Sequence, residues 1–330
     1  MSQIKWKHIF QQLKADLIGK DSYRGITLTY AWLANQFGHF ALGFIPVFLV
    51  YRFLCWINWR PHSYTAAWII ALFWLLFETY NFLGPILKAR DQYRFSPAWW
   101  NVAFDTATDL VFFWIGAVAA ALWLSPSWPA FIVLAALIII VLYPSYYWFT
   151  TKMFQQYAAY PFQFRLSQWN YSITKEDKET VKAFLKNPAQ KHLLVFGSSG
   201  TGKTAISIGV ANELSINRRA CCYTPAIKLY CMFHEKEITA KALWIWRNTE
   251  VLVIDDINPG GPIKEELVPP EKFLQFLDAI KDNREAIRSR SVIWVLGNQD
   301  STESLRNKWS ALLDTIGVPR ENVLSIDLRG

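Results

Sequence analysis

Eight consecutive residues carry the clearest chemistry in the chain: Gly197, Ser198, Ser199, Gly200, Thr201, Gly202, Lys203 and Thr204, a GxxxxGK[ST] pattern. Glycines at this spacing let the backbone turn so tightly that successive N–H groups face one point, at the positive end of the helix that follows. The ligand suited to such a loop is a chain of phosphates. Lys203 can reach β- and γ-phosphate oxygens, and Thr204 can place its hydroxyl on Mg²⁺. The pattern has meaning only between a strand and a helix. His192-Leu-Leu-Val-Phe196 reads as a short buried strand ahead of it, and a helical run to about Leu214 follows. ATP and Mg²⁺ are the expected ligands.

Two further segments supply what phosphate hydrolysis needs. Val251-Leu-Val-Ile-Asp-Asp256 is a buried-strand pattern ending in two carboxylates. Asp255 is expected to hold Mg²⁺ through water, and Asp256 to orient or deprotonate the attacking water. The strand Val292-Ile-Trp-Val-Leu-Gly297 ends at Asn298, and ligands of α/β sheets bind at that carboxyl end. Asn298 is thus placed to fix a water against the γ-phosphate. Between Lys203 and Asp255 there is room for a helix, a strand at Ala220–Thr224 and a second helix, and a last strand spans Val323–Leu328. Metabolite kinases share the phosphate loop, but paired carboxylates and a polar strand end point to water as the nucleophile.

On these residues the stretch from about Arg165 to Gly330 resembles the AAA+ superfamily and, within it, the DnaC/IstB-type ATPases. The resemblance rests on GSSGTGKT, the interval CCYTPAIKLYCMF, the Asp-Asp form of LVIDDI, and GNQD after the third motif strand. It implies a parallel-sheet α/β core, ATP hydrolysis, assembly into rings or filaments, and an arginine from one subunit completing its neighbour's site. Arg306 and Arg320, between Asn298 and the last strand, are the candidates, with Arg306 preferred. The chain departs from the family in two ways. It stops two residues after the last strand, so the helical lid with its second sensor arginine is not expected; DnaC/IstB-type proteins are also short at this end. It also carries an apolar N-terminal domain that soluble members lack, which sets it apart from proteins that serve replicative helicases and transposases.

That apolar domain shows in the composition. Of 330 residues 52% are hydrophobic, 16% aromatic and 18% charged, against about 25% charged in soluble domains. So apolar a chain is not disordered, and its 15 Gly and 15 Pro fit no collagen-like or low-complexity class. The charge is unevenly spread: residues 1–150 hold ten Lys/Arg and six Asp/Glu, the rest 24 and 20, and twelve of the 17 Trp lie in the first part. Four stretches reach spanning length, near Gly38–Ile57, Thr65–Leu87, Trp99–Leu124 and Pro129–Phe149, with Trp and Tyr gathered at their ends. Lys5, Lys7, Lys14, Lys20 and Arg24 precede the first span, and Lys88, Arg90 and Arg94 lie between the second and third. The positive-inside rule then puts both termini in the cytoplasm and makes this a multi-pass inner-membrane protein. These eight basic residues account for the net charge of +8 without any nucleic acid.

The expected organisation is multi-domain: a cytoplasmic amphipathic segment (1–36), an all-α four-helix transmembrane domain (37–150), a linker with a helix leading into the sheet (151–190) and an α/β P-loop NTPase of AAA+ type (191–330). No cleavable signal peptide is expected. Trp6, Phe10, Leu13 and Leu17 recur at helical spacing among lysines, which fits either a helix on the inner leaflet or one packed on the cytoplasmic domain. Glu78, Asp105 and Asp109 fall inside spans at similar depth in the inner half. Such carboxylates serve ion relays or partner sites, or hold helices together, and without a polar stripe the structural role is preferred. Arg284, Arg288 and Arg290 close a predicted helix from Glu271, where cations answer the helix dipole, so nucleic acid is not favoured. Cys55, Cys221, Cys222 and Cys231 have no CxxC spacing and read as small buried residues in a reducing cytosol.

Three functions fit. The first is an ATPase that oligomerises on the membrane face to remodel, load or release an unidentified protein partner. The second is an ATP-gated membrane effector or channel, of which a defence role is one form. The third is an ATP-switched scaffold recruiting DNA or protein to the membrane.

Overall fold

Residues 4–18, 25–59, 62–88, 93–234, 243–257, 269–297 and 302–328 are described by the structure, a computed structural model. The chain divides into two compact units, one spanning Ile9–Lys152 and the other Met153–Gly330 together with the N-terminal residues up to His8. The helices of the N-terminal half are α1 (Trp6–Ile18), α2 (Leu28–Trp56), α3 (Ser63–Lys88), α4 (Trp99–Leu124) and α5 (Trp128–Tyr157). The last four are each long and apolar enough to cross a membrane. Helix α2 begins ten residues before its apolar stretch, because Thr27 accepts from the Tyr30 N–H and caps it there.

Apolar residues cover these helices on nearly all sides, with Leu49, Leu76 and Ile139 pointing outward. What holds the first three together is close backbone approach. A Cβ on Gly43 would overlap the Phe113 carbonyl of α4, and one on Gly116 would overlap the Phe40 carbonyl of α2. Trp74 stacks on Phe113 at 4.1 Å between ring centres and donates its indole N–H to the Leu42 carbonyl at 3.0 Å. Trp114 does the same for Ala71 at 3.2 Å. In an apolar surrounding an indole N–H needs such an acceptor.

The second unit is a five-stranded parallel sheet. Its strands are β1 (His192–Gly197), β2 (Cys221–Pro225), β3 (Val251–Asp255), β4 (Ser291–Val295) and β5 (Val323–Leu328), in the order β2-β3-β4-β1-β5. The three inner strands are buried throughout, in keeping with their mainly apolar sequences, whereas the edge strands β2 and β5 are partly exposed. Connecting helices are α6 (Lys175–Lys186), α7 (Lys203–Ile216), α8 (Ala226–Phe233), α9 (Pro270–Leu277), α10 (Asp282–Arg288) and α11 (Thr302–Ile316). The single helix expected from Glu271 is two, because the Asn283 side chain donates to the Leu277 carbonyl and ends α9 there. Together the sheet and the loop between β1 and α7 make a P-loop NTPase-like fold.

A core of Trp294, Trp309 and Phe273 packs on one face of the sheet. Beside it the buried His192 accepts from the Trp294 indole at 3.1 Å, and burial pushes its imidazole down to about 3. The unfolded chain takes up this proton near pH 6.5, the folded one only far lower. The stabilisation is therefore complete above pH 6.5 and is lost as pH falls. Between pH 6.5 and 5 the detergent-solubilised protein is expected to lose about 2 kcal/mol from this group, seen as a falling thermal midpoint. His192→Phe should show a smaller fall; an equal fall in both proteins would place the acid sensitivity elsewhere.

Candidate functional site

The glycine-rich loop joins β1, which ends at Gly197, to α7, which starts at Lys203. Gly200 and Gly202 have left-handed backbone, φ 84° and 82°, which a side chain would strain. At Gly202 a Cβ would also run into the ring of Tyr171 and the indole of Trp169, whose N–H donates to the Gly202 carbonyl at 3.2 Å. Thr201 closes the loop by donating to the Ser198 carbonyl at 2.9 Å. The buried Lys203 ammonium donates to the carbonyls of Gly197 (2.8 Å) and Ser198 (2.7 Å). Burial lowers its pKa, and the nearby Asp255 charge acts the other way.

Asp255, at the carboxyl end of β3, is 2% exposed and its carboxylate is fully engaged. One oxygen accepts from the Thr204 hydroxyl at 3.3 Å and from the Asp256 N–H at 2.8 Å. The other accepts from the Tyr223 hydroxyl at 2.8 Å. Tyr223 stands on β2, paired with Val253 of β3. Burial, and then the Asp255 charge, keep its phenol protonated far above the usual range, so it remains a donor. Asp256 follows in left-handed backbone, φ 53°, with its carboxyl pKa raised first by burial and then by Asp255.

These groups enclose a cleft of about 320 Å³. Ser199, Gly200, Gly202, Lys203, Thr204 and Ala205 form its floor, Asp255, Asp256 and Val295 one wall, and the aromatic rings of Phe162 and Tyr171 another. The donor set fits phosphate and a hard cation: an ammonium on the loop, and a hydroxyl beside a carboxylate, oxygen ligands of the kind Mg²⁺ prefers.

The aromatic wall belongs to a segment strapped along α7. Gln155 donates to Asn212 at 2.8 Å, and Asn212 donates to the Phe164 carbonyl at 2.8 Å. Tyr160 and Ser215 share a hydrogen bond of 2.8 Å, and Arg165 makes two bonds to Glu213, at 2.8 and 3.3 Å. Leu166 lies against Gly209, where a Cβ would press on its backbone. Residues 155–171 thus follow α7 from its last turn to its first.

Of the residues singled out from sequence, the structure brings together the loop, Thr204, Asp255 and Asp256. Asn298 lies outside the described residues, three positions beyond β4, the strand between β1 and β3. Arg306 is exposed on α11, and Arg320 is exposed and bonded to Asp314 at 3.2 Å; neither lines the cleft. Arg284 pairs with Asp278 and Arg288 with Glu285, while Arg290 points inward to the carbonyls of Trp246 and Arg247. In the N-terminal half Asp109 accepts from Gln36 at 2.9 Å and lies 3.1 Å from the His39 ring nitrogen. Glu78 is close enough to both Asp109 and His39 to interact electrostatically, whereas Asp105, one turn away, is exposed. Tyr223, Trp169, Tyr171 and Phe162 escaped the sequence reading. For Tyr223 the sequence showed only a position in a predicted strand; that this strand lies beside β3 is known from the pairing.

No family model matches the chain. A solved structure described as "Crystal Structure of the DnaI" is similar over 51% of this chain and 89% of that chain, at 18% identity and a TM-score of 0.35. A likeness of that size carries no argument about function.

Tyr223 holds the Asp255 oxygen that Thr204 does not. Tyr223→Phe should raise the Mg²⁺ concentration needed for half-maximal binding of a fluorescent ATP analogue by roughly tenfold, with binding restored at saturating Mg²⁺. An unchanged Mg²⁺ titration would remove Tyr223 from the site.

Proposed function

We propose that this chain is a membrane-anchored ATPase that binds ATP with Mg²⁺, hydrolyses it, and assembles with further copies at the cytoplasmic face to remodel, load or release a protein partner. The observation that carries this reading is the convergence on Asp255 of Thr204, Asp256 and the phosphate loop with its buried lysine. Thr204 and Asp255 would hold Mg²⁺, which supplies charge neutralisation at the phosphates. Lys203 binds the terminal phosphates from the loop side. Asp256 accepts the proton of the attacking water, and its raised pKa makes it a stronger base than an ordinary carboxylate. Asn298 orients that water from the end of the strand between the loop and Asp255. The rings of Tyr171 and Phe162 give the nucleotide base a stacking wall.

Arg306 and Arg320 stand outside their own cleft, as a residue serving a neighbouring subunit must. With Arg320 paired to Asp314, Arg306 is the better finger. Helices α2 to α5 supply the anchor, and the lysines ahead of α2 favour cytoplasmic termini. Asp109, matched by Gln36 and His39, ties α2 to α4, which supports an anchoring role over an ion path. The arginines of α10 are engaged within the chain, which speaks against a nucleic-acid patch there.

Phosphate release by the reconstituted protein tests the reading. Asp256→Asn should bind ATP normally yet hydrolyse it at least about a hundredfold more slowly, while Lys203→Ala loses binding. Undiminished hydrolysis by Asp256→Asn would overturn the catalytic assignment. Tight binding without turnover in the unaltered protein would favour the ATP-switched scaffold instead.

A further inference from the structure

Helix α1 is amphipathic in an unusual sense: its buried side is polar and its exposed side apolar. Gln12 (7% exposed) and Asp16 (3%) are buried with Ile9, while Trp6 (63%), Phe10 (63%) and Leu17 (69%) face outward. A soluble helix on a protein surface does the reverse.

The rotation of the helix is fixed by hydrogen bonds. The Gln12 amide donates to Asp16 at 2.9 Å and to the Thr29 hydroxyl at 3.1 Å, and Thr27 donates to Asp16 at 2.8 Å. Thr27 is also the cap of α2. Rolling α1 to bury its apolar stripe on protein would break this network and leave a carboxylate and an amide without partners, which is costly. The apolar stripe therefore has to be covered by something that is not this part of the chain.

Charge and position say what covers it. At 100° per residue Lys7 and Lys14 fall about a quarter turn from the stripe, on the side opposite the Gln12–Asp16 face, and both are exposed, as is Lys5. The single acid of the helix, Asp16, is hidden in the network. The exposed charges of this segment are thus lysines alone, beside an apolar stripe. The helix is also held, through Thr27 and Thr29, to the first turn of α2, the first of the helices long enough to span. That turn lies on the side from which the spanning helix enters the bilayer.

We infer that α1 lies in the plane of the bilayer, with Trp6, Phe10 and Leu17 in the acyl boundary and Lys5, Lys7 and Lys14 on anionic headgroups. This inference rests on the membrane-anchored reading above. The helix then sets the depth at which α2 enters, and makes the protein sensitive to the charge of the inner leaflet. An interfacial helix with an apolar face and a lysine flank binds in this manner, and each lysine near an anionic surface contributes roughly fivefold to the local equilibrium.

The test uses full-length protein in vesicles of phosphatidylcholine with or without phosphatidylglycerol. A photoreactive benzoylphenylalanine replaces Phe10, Leu17, Gln11 or Ile139, and adducts are identified by mass spectrometry. Phe10 and Leu17 should yield lipid adducts and Gln11 few. Lys5, Lys7 and Lys14 changed together to Gln should lower the adduct yield at Phe10 several-fold in vesicles containing phosphatidylglycerol, and hardly at all without it. Adducts from Phe10 and Leu17 to peptides of the same chain or of a second copy, with Ile139 still labelling lipid, would overturn the inference. A yield indifferent to both lysines and lipid charge would overturn its anionic part. Failure of Ile139 to label lipid would instead bring down the membrane-spanning reading, and this inference with it.

Discussion

A carboxylate that is 2% exposed needs hydrogen-bond donors, and Asp255 gathers its donors from three elements. The first turn of α7 sends Thr204, β2 sends Tyr223, and the chain just beyond β3 turns back its own Asp256 N–H. Satisfying one buried charge therefore fixes the distance between the phosphate loop and the two strands that face it. The left-handed backbone at Asp256 follows from the same demand. That turn presents the Asp256 amide to Asp255 and its carboxyl to the cleft.

Helix α7 is the other organising element, since it is held along its length as well as at its start. The bonds from Gln155, Tyr160 and Arg165 run down its side and finish with Trp169 on the Gly202 carbonyl. A displacement of the loop by a ligand would be felt by the strap, because Gly202 has no space between its Cα and the Tyr171 ring. The buried amide pair of Gln155 and Asn212 lies at the far end of the same strap, close to the end of α5.

Where the sequence was readable, the chemistry demanded residue types in one contiguous window. The phosphate loop, the paired carboxylates and the four apolar stretches are of that kind, and their positions follow from local rules. Tyr223 and the rings of Trp169 and Tyr171 were not readable, because their roles arise from which strand lies beside β3 and from a segment folding back on α7. The order β2-β3-β4-β1-β5 is likewise a property of long-range pairing. Local polar groups caused the misplaced boundaries: the Thr27 cap extended α2 beyond its apolar stretch, and Asn283 divided a helix that its charge pattern joins. The arginines near position 288 were expected to answer a helix dipole; their partners, carboxylates three and six residues away and the carbonyls of Trp246 and Arg247, depend on how the chain folds back.

The sheet order also sets a timetable for synthesis. Strand β1 pairs on one side with β4, His192 opposite Val292, and on the other with β5, His192 opposite Val323. Neither neighbour exists until roughly a hundred further residues have been made, which at about 5–20 residues per second takes several seconds or more. Helices α2 to α4, whose contacts are closer in sequence, are finished long before. For that interval the ribosome-bound chain holds an apolar strand, and the loop attached to it, with both edges open. A nascent chain in that condition is a natural client for a chaperone, and the last strand to emerge is the one that closes the nucleotide fold.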